Sequence, residues 1–259
     1  MAVLLVDVGN SRVKWAHCEG GRVGRSQAAA HSGWDAADFR RRLFGSSEAP
    51  ARALIASVAG TVLNRALADA ARRAGVAAEF VKVPRRAGAA AVAVGYLEPW
   101  RLGVDRFVAV VGAHALFPHL PLCIVGIGTA MTVDLVGADG RHRGGVIIPA
   151  PALMIATLLE RTHGIRRRVR GGAAGGAGLF GRSTRAAVVQ GARYAAAALV
   201  DRAAEEARPL VGRKPLVVIH GGEAGSVRPL VRSACVGVRD LILRGLSVLA
   251  DSSRAPRRA

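Results

Sequence analysis

Along this chain, apolar residues come in short runs broken by polar or glycine positions, and the spacing of those breaks predicts the elements. Period-two or short apolar runs predict strands at about 2–8, 12–17, 52–57, 78–83, 122–126, 131–136, 144–148 and 215–219. Longer Ala/Leu/Arg patterns predict helices at about 34–44, 61–74, 104–117, 150–161, 183–207 and 239–251. Strands alternate with helices, which predicts an α/β layered fold. Two segments rich in Gly, Ala or Pro, 84–103 and 168–181, read as mobile loops.

The pattern contains an echo. "VDVGNSRVKW" at 6–15 lines up with "VGIGTAMTVD" at 125–134. Each is an apolar strand, a glycine turn, a small hydroxyl or amide residue, and a second strand. Two matched hairpins imply two similar halves, with room for a nucleotide in a cleft between them. A turn with Gly at its tip exposes backbone N–H groups, which bind phosphate oxygens. Asn10, Ser11 and Thr129 add side-chain donors, and Lys14 adds charge. Asp7 has the hard carboxylate oxygen that Mg²⁺ prefers. A single hairpin of this kind is most simply a turn; two, each with an Asp flanked by apolar residues (Asp7, Asp134), favour phosphate binding.

Other segments carry candidate chemistry with an ordinary reading beside it. In "GVDRFVAVV" Asp105 stands at a helix start, where the dipole favours a carboxylate and Arg106 points to solvent. The sharper reading makes Asp105 a general base and Arg106 a planar fork for a substrate carboxylate. Composition alone favours the first. Ser183 and Thr184 either cap the longest helix or bring a hydroxyl to a ligand. The glycines of "HRGGVIIP" serve packing or binding. "VVIHGGEAG" ends a strand in Gly-Gly, where a flat ring such as adenine can lie, and His220 reads as a strand-end residue.

Composition narrows the classes. The 259 residues suffice for one large domain or two small ones, and 51% hydrophobic with 21% charged residues supports a sizeable core. Apolar runs are broken well before the ~20 residues of a membrane span, and no basic leader with a cleavage site precedes them. The expectation is a cytoplasmic protein with no membrane partner. Cys18, Cys123 and Cys235 are widely spaced, which suggests neither a disulfide framework nor a zinc site. The net charge of +19 raises the question of a nucleic-acid partner. Only three of the 37 basic residues are Lys, and the Arg residues are scattered, so compositional drift accounts for the charge better.

Taken in order, "DVGNSRVK" at 7–14, "GVDR" at 103–106, "GTAMTVD" at 128–134, "GGVIIP" at 144–149, "GRST" at 181–184, "HGGEA" at 220–224 and "LILRGLSVLA" at 241–250 resemble the type III pantothenate kinases of bacteria. The resemblance spans nearly the whole chain. It implies the actin-like ATPase fold: two ribonuclease-H-like halves, divided here as 1–115 and 116–259, with the active site in the cleft. It also implies a homodimer and ATP-dependent phosphorylation of pantothenate to 4′-phosphopantothenate, with ATP and Mg²⁺. The family's catalytic base falls on Asp105. Its ATP segment falls on Asp7, Val8, Gly9, Asn10, Ser11, Arg12, Val13 and Lys14, with Thr129 on the second hairpin and Asp7 toward Mg²⁺, directly or through water. Its pantothenate contacts fall on Tyr96, Gly103, Val104, Asp105, Arg106 and Thr184.

Two departures stand out. Where many members of the family carry an Asp that binds K⁺ or NH₄⁺, this chain has Gly126, which supplies no carboxylate; activity is therefore expected not to require a monovalent cation. Ala150 stands where Pro-Gly is usual, which leaves the local backbone path open. The competing readings are a phosphotransferase of the same fold with another acceptor, and an Arg-rich regulatory or nucleic-acid-binding protein.

Overall fold

The computed structural model describes residues 2–45, 50–84, 91–169 and 178–252. The elements in chain order are β1 (Val3–Val8), β2 (Arg12–Glu19), β3 (Arg22–Val23), β4 (Gln27–Ala30), α1 (Ala36–Leu43), β5 (Arg52–Ser57), α2 (Thr61–Arg73), β6 (Ala77–Phe80) and α3 (Val104–Leu116). There follow β7 (Leu122–Ile127), β8 (Ala130–Val136), β9 (His142–Pro149), α4 (Pro151–Arg161), α5 (His163–Val169), α6 (Thr184–Val211), β10 (Leu216–His220), α7 (Ala224–Val227), β11 (Cys235–Gly237) and α8 (Leu241–Ser252). Every predicted strand and helix has its counterpart. The added elements β3, β4, β11, α5 and α7 are too short to register as a periodicity. Of the two segments expected to be mobile, 85–90 and 170–177 lie outside the described residues.

The chain forms two compact units. In the first, the sheet runs β3-β2-β1-β5-β6, with β4 pairing to β2. β1 pairs antiparallel with β2 and parallel with β5. Strand alternation sorts the β1 side chains onto two faces. Leu4, Val6 and Val8 join a core with Ile55, with Phe39 and Leu43 of α1, and with Leu67 of α2. Burying each such side chain stabilises the fold by about 1.5–3 kcal/mol. Val3, Leu5 and Asp7 turn to the other face. α8 packs against β1 and β5, and α3 against β5. α1 begins in a capping box: Asp38 N–H donates to Asp35 Oδ1 at 2.9 Å, and Asp35 N–H donates to Asp38 Oδ2 at 3.3 Å.

The α3–α8 crossing depends on glycine. A Cβ on Gly245 would lie 2.0 Å from the Val108 carbonyl oxygen, and one on Gly112 would lie 2.7 Å from that of Leu241. This crossing differs from the expected division after residue 115. The segment from Asp240 belongs to the first unit, and so does Gly140–Arg143 of the β8–β9 connection.

In the second unit the sheet order is β11-β10-β7-β8-β9. Cys123, Val125, Ile127, Met131 and Val133 face α6, where Ala196, Ala197, Val200 and Ala204 complete the core. Small residues on α6 let the helix lie close to the sheet. The backbone around Ala150 is regular. Ala150 is the N-cap of α4, with Pro151 at the first helical position, and its N–H donates to the Thr129 carbonyl at 3.2 Å.

Candidate active site

The face of the first sheet that carries Asp7 is where the acidic residues gather. Asp7 stands directly opposite Lys14 across the β1–β2 hairpin. Asp105 lies in the first turn of α3, and Asp240 immediately precedes α8. Lys14 Nζ lies 3.8 Å from Asp240 Oδ1, and Asp240 Oδ2 accepts a hydrogen bond from Ser26 Oγ at 2.7 Å. Asp240 has φ +53°, a left-handed conformation that side chains disfavour. Burial pushes the Asp7 carboxyl up to about 7; Lys14 pulls it down, while Asp105 and Asp240 raise it further.

The hairpin tip is built differently from the sequence expectation. Gly9 does not offer its N–H outward: it donates to the Arg12 carbonyl at 3.0 Å and closes the turn. The exposed tip residues are Asn10, Ser11 and Arg12. Val8 and Val13 are in the core, so only their backbone is available to a ligand. His31, buried, donates from Nε2 to the Gly9 carbonyl at 2.8 Å and fixes the tip from behind. Sequence reasoning passed over His31 because its partner is 22 residues away.

Arg106 is only 6% exposed, which rules out the solvent-pointing reading. Its Nη1 donates to Tyr96 Oη at 2.8 Å, and its Cζ lies 5.6 Å from the Tyr96 ring centroid. The Arg106 backbone N–H donates to Asp105 Oδ1 at 2.8 Å. That bond fixes one carboxylate oxygen of Asp105 at the start of α3. Gly103 is the N-cap residue of α3 and Val104 its first member. The structure therefore brings Tyr96, Arg106 and Asp105 into one connected group.

In the second unit the β7–β8 hairpin repeats the first with a tighter turn. Gly128 and Thr129 make the connection, against Gly9, Asn10 and Ser11 in the first. The register shifts accordingly: Gly126 faces Thr132, and Asp134 faces Ile124. Asp134 is thus not the counterpart of Asp7, although both are apolar-flanked; it is 2% exposed in mid-strand. Gly126 pairs in register with His220 of β10. A Cβ there would lie 3.0 Å from His220 Nε2 and 3.1 Å from Thr132 Oγ1. Gly221 has φ +102°, and a Cβ on it would lie 2.2 Å from the Ile127 carbonyl oxygen. That close approach of two strand ends explains this glycine without a ligand.

Ser183 is a helix cap: its Oγ accepts from Ala186 N–H at 3.1 Å. Thr184 begins α6 and lines an apolar cavity of about 500 Å³ with Met154, Ile155, Leu158 and Ile165. Among the described residues, no three His, Cys, Asp or Glu side chains are grouped to hold a metal, and no helix is long and apolar enough to cross a membrane.

Comparison with known proteins bears on the fold and the family. Among solved structures, the chain is similar to a Baf family protein from Campylobacter jejuni (TM-score 0.62, 16% identity, 96% of this chain and 98% of that one). It is also similar to the activator of the 2-hydroxyisocaproyl-CoA dehydratase from Clostridium difficile, solved with ADPNP (TM-score 0.54, 10% identity, 98% and 97%). At these identities the likeness is one of fold, the actin-like ATPase architecture of two ribonuclease-H-like α/β units. Closer in sequence are a type III pantothenate kinase of Xanthomonas campestris, 38% identical over 259 residues (99% of this chain, 100% of the relative), and one of Stenotrophomonas maltophilia, 38% over 236 residues (90% and 91%). The family model for type III pantothenate kinase matches residues 3–206. With strands, hairpins and helices all in the order its motifs require, the chain belongs to the type III pantothenate kinase family.

Proposed function

We infer that the protein transfers the γ-phosphoryl group of ATP to the primary hydroxyl of pantothenate, the first step toward coenzyme A. One observation carries the assignment of roles: Asp7 stands opposite Lys14 across the hairpin, and Asp105, whose charge raises the Asp7 carboxyl, is bonded to Arg106 of the Arg106–Tyr96 pair. Asp105 receives the hydroxyl proton as the oxygen attacks phosphorus. The bond to the β,γ-bridging oxygen breaks, and ADP leaves with that oxygen. The Arg106 N–H bond orients Asp105 for this task. Phosphoryl transfer needs mostly positioning and charge neutralisation. Lys14 and the Asn10–Arg12 tip supply both at the phosphates, and Thr129 is the proposed contact from the second hairpin. Arg106 pairs with the pantothenate carboxylate, and Tyr96, Gly103 and Val104 line the same group. The Thr184 hydroxyl is the polar point of the apolar cavity beside α6.

Mg²⁺ fits at Asp7. A carboxyl raised by burial and by like charges regains its negative charge beside a divalent cation. Mg²⁺ is commonly held by one or two carboxylates plus substrate phosphates, which suits a site where, among the described residues, no three such ligands are grouped. When bound, the ion neutralises phosphate charge. We propose that no monovalent cation is required; the reading is supported by Gly126, which supplies no carboxylate and is bordered by His220 and Thr132. We further place the enzyme in the cytoplasm, where ATP is supplied, and assign it the homodimeric state implied by the family resemblance.

The test is ADP release coupled to a spectrophotometric readout, with pantothenate present or omitted. Release that depends on pantothenate supports the reading; ATP turnover indifferent to pantothenate defeats it.

A further inference from the structure

Arg106 needs a fixed direction to discriminate a carboxylate, and the Tyr96 hydroxyl and ring are among its supports. A tyrosine on a loop holds its hydroxyl in place only if its ring plane is held. The residue behind that ring is His142, 2% exposed, with ring centroids 5.6 Å apart and planes tilted by 40°. His142 comes from the β8–β9 connection, far from Tyr96 in sequence, yet the backbones are stitched together. Ala93 and Arg141 form an isolated bridge. Ala93 N–H donates to the Gly140 carbonyl at 3.1 Å, and His142 N–H donates to the Ala93 carbonyl at 2.8 Å. The approach continues at Gly95, where a Cβ would lie 1.9 Å from the His142 carbonyl oxygen. Glycine is required there by the neighbouring backbone.

The geometry points to His142 as a positioning residue: its imidazole backs the Tyr96 ring, and the ring and hydroxyl of Tyr96 aim the Arg106 guanidinium at the substrate carboxylate. The proposal rests on the reading of Arg106 given above. It assigns His142 no proton transfer, so a flat apolar ring of similar size serves in its place. What the position demands is planarity and bulk, because loss of the ring lets Tyr96 rotate and the fork lose its orientation.

The experiment compares His142→Ala and His142→Phe with the unaltered enzyme. The substrates are pantothenate and pantothenol, in which an alcohol replaces the carboxylate. The expected result for His142→Ala is a rise of about tenfold in KM for pantothenate, the scale of one loosened charge-assisted hydrogen bond, with kcat nearly unchanged. kcat/KM for pantothenol stays constant, so the preference for the carboxylate falls by the same factor. His142→Phe restores that preference. An equal loss on both substrates, or an unchanged preference in His142→Ala, overturns the proposal. So does a His142→Phe enzyme that keeps its thermal midpoint but has lost the preference, and this second variant decides the matter if His142→Ala fails to fold. Failure of the underlying kinase reading shows separately, as an unaltered enzyme without pantothenate-dependent ADP release.

Discussion

Lys14 lies 3.8 Å from Asp240, although the residue directly across the hairpin from it is Asp7. Both partners of the Lys14–Asp240 pair are about a third exposed, so the pair adds under about 1 kcal/mol to stability. Under the proposed role of Lys14 at the ATP phosphates, the pair would hold the ammonium group in place before nucleotide arrives. Asp240→Asn should leave the thermal midpoint nearly unchanged while raising KM for ATP by about three- to tenfold. Steady-state kinetics beside a melting curve test both halves. A large stability loss with an unchanged KM would make Asp240 a purely structural residue.

Asp105→Asn keeps the shape of the side chain and removes its basicity. Turnover should fall by about 10²–10⁴, the usual worth of a positioned general base. ATP binding, measured by calorimetry, should persist, because the nucleotide contacts proposed at the hairpin are untouched. A variant retaining a tenth of normal kcat would remove Asp105 from the role.

The Asp7 carboxyl fixes the sign of a pH effect on stability. Its ordinary value is 3.8, and in the folded protein it is pushed up to about 7. Between those limits the folded chain holds a proton that the unfolded chain has released. Stability from this group is therefore fully present below the lower limit and lost as pH rises through the upper one. In Mg²⁺-free buffer the thermal midpoint should carry a component that declines from pH 5 to pH 8. Asp7→Asn should abolish that component, melt higher than the unaltered protein at pH 8, and be inactive. Adding Mg²⁺ at pH 8 should raise the midpoint of the unaltered protein and leave that of Asp7→Asn where it was.

At Gly126 there is no room to restore a carboxylate without moving His220 or Thr132. The unaltered enzyme should work equally well in KCl and NaCl at matched ionic strength. Gly126→Ala should cost about 1–3 kcal/mol through overpacking, read by chemical denaturation. Saturable activation by K⁺ that Na⁺ does not reproduce would overturn the cation argument.

What could be read along the chain was whatever local periodicity encodes. The apolar runs around Gly9 marked a hairpin flanked by Asp7 and Lys14, and the apolar run after Gly103 put Asp105 at a helix start. The β7–β8 hairpin was visible, but its one-residue contraction was not, because register depends on turn geometry that a ten-residue alignment cannot resolve. Arg106 illustrates the opposite failure. Position in a helix start suggested solvent, whereas Tyr96 gives the guanidinium a hydrogen-bonded place in the interior. His31, Ser26, Asp240 and His142 left no local trace at all. Each acts on a partner many residues away, and only the folded chain makes those pairs.

The crossing of α3 and α8 has a consequence for folding. The strand bearing Asp7 precedes the second unit along the chain, whereas α8, which packs against it, follows that unit. Until α8 docks, the sheet face carrying Leu5 and Asp7 lacks one of the helices that cover it, and such long-range closure is slow. Completion of the first unit therefore waits on a segment that the chain reaches only beyond the second unit.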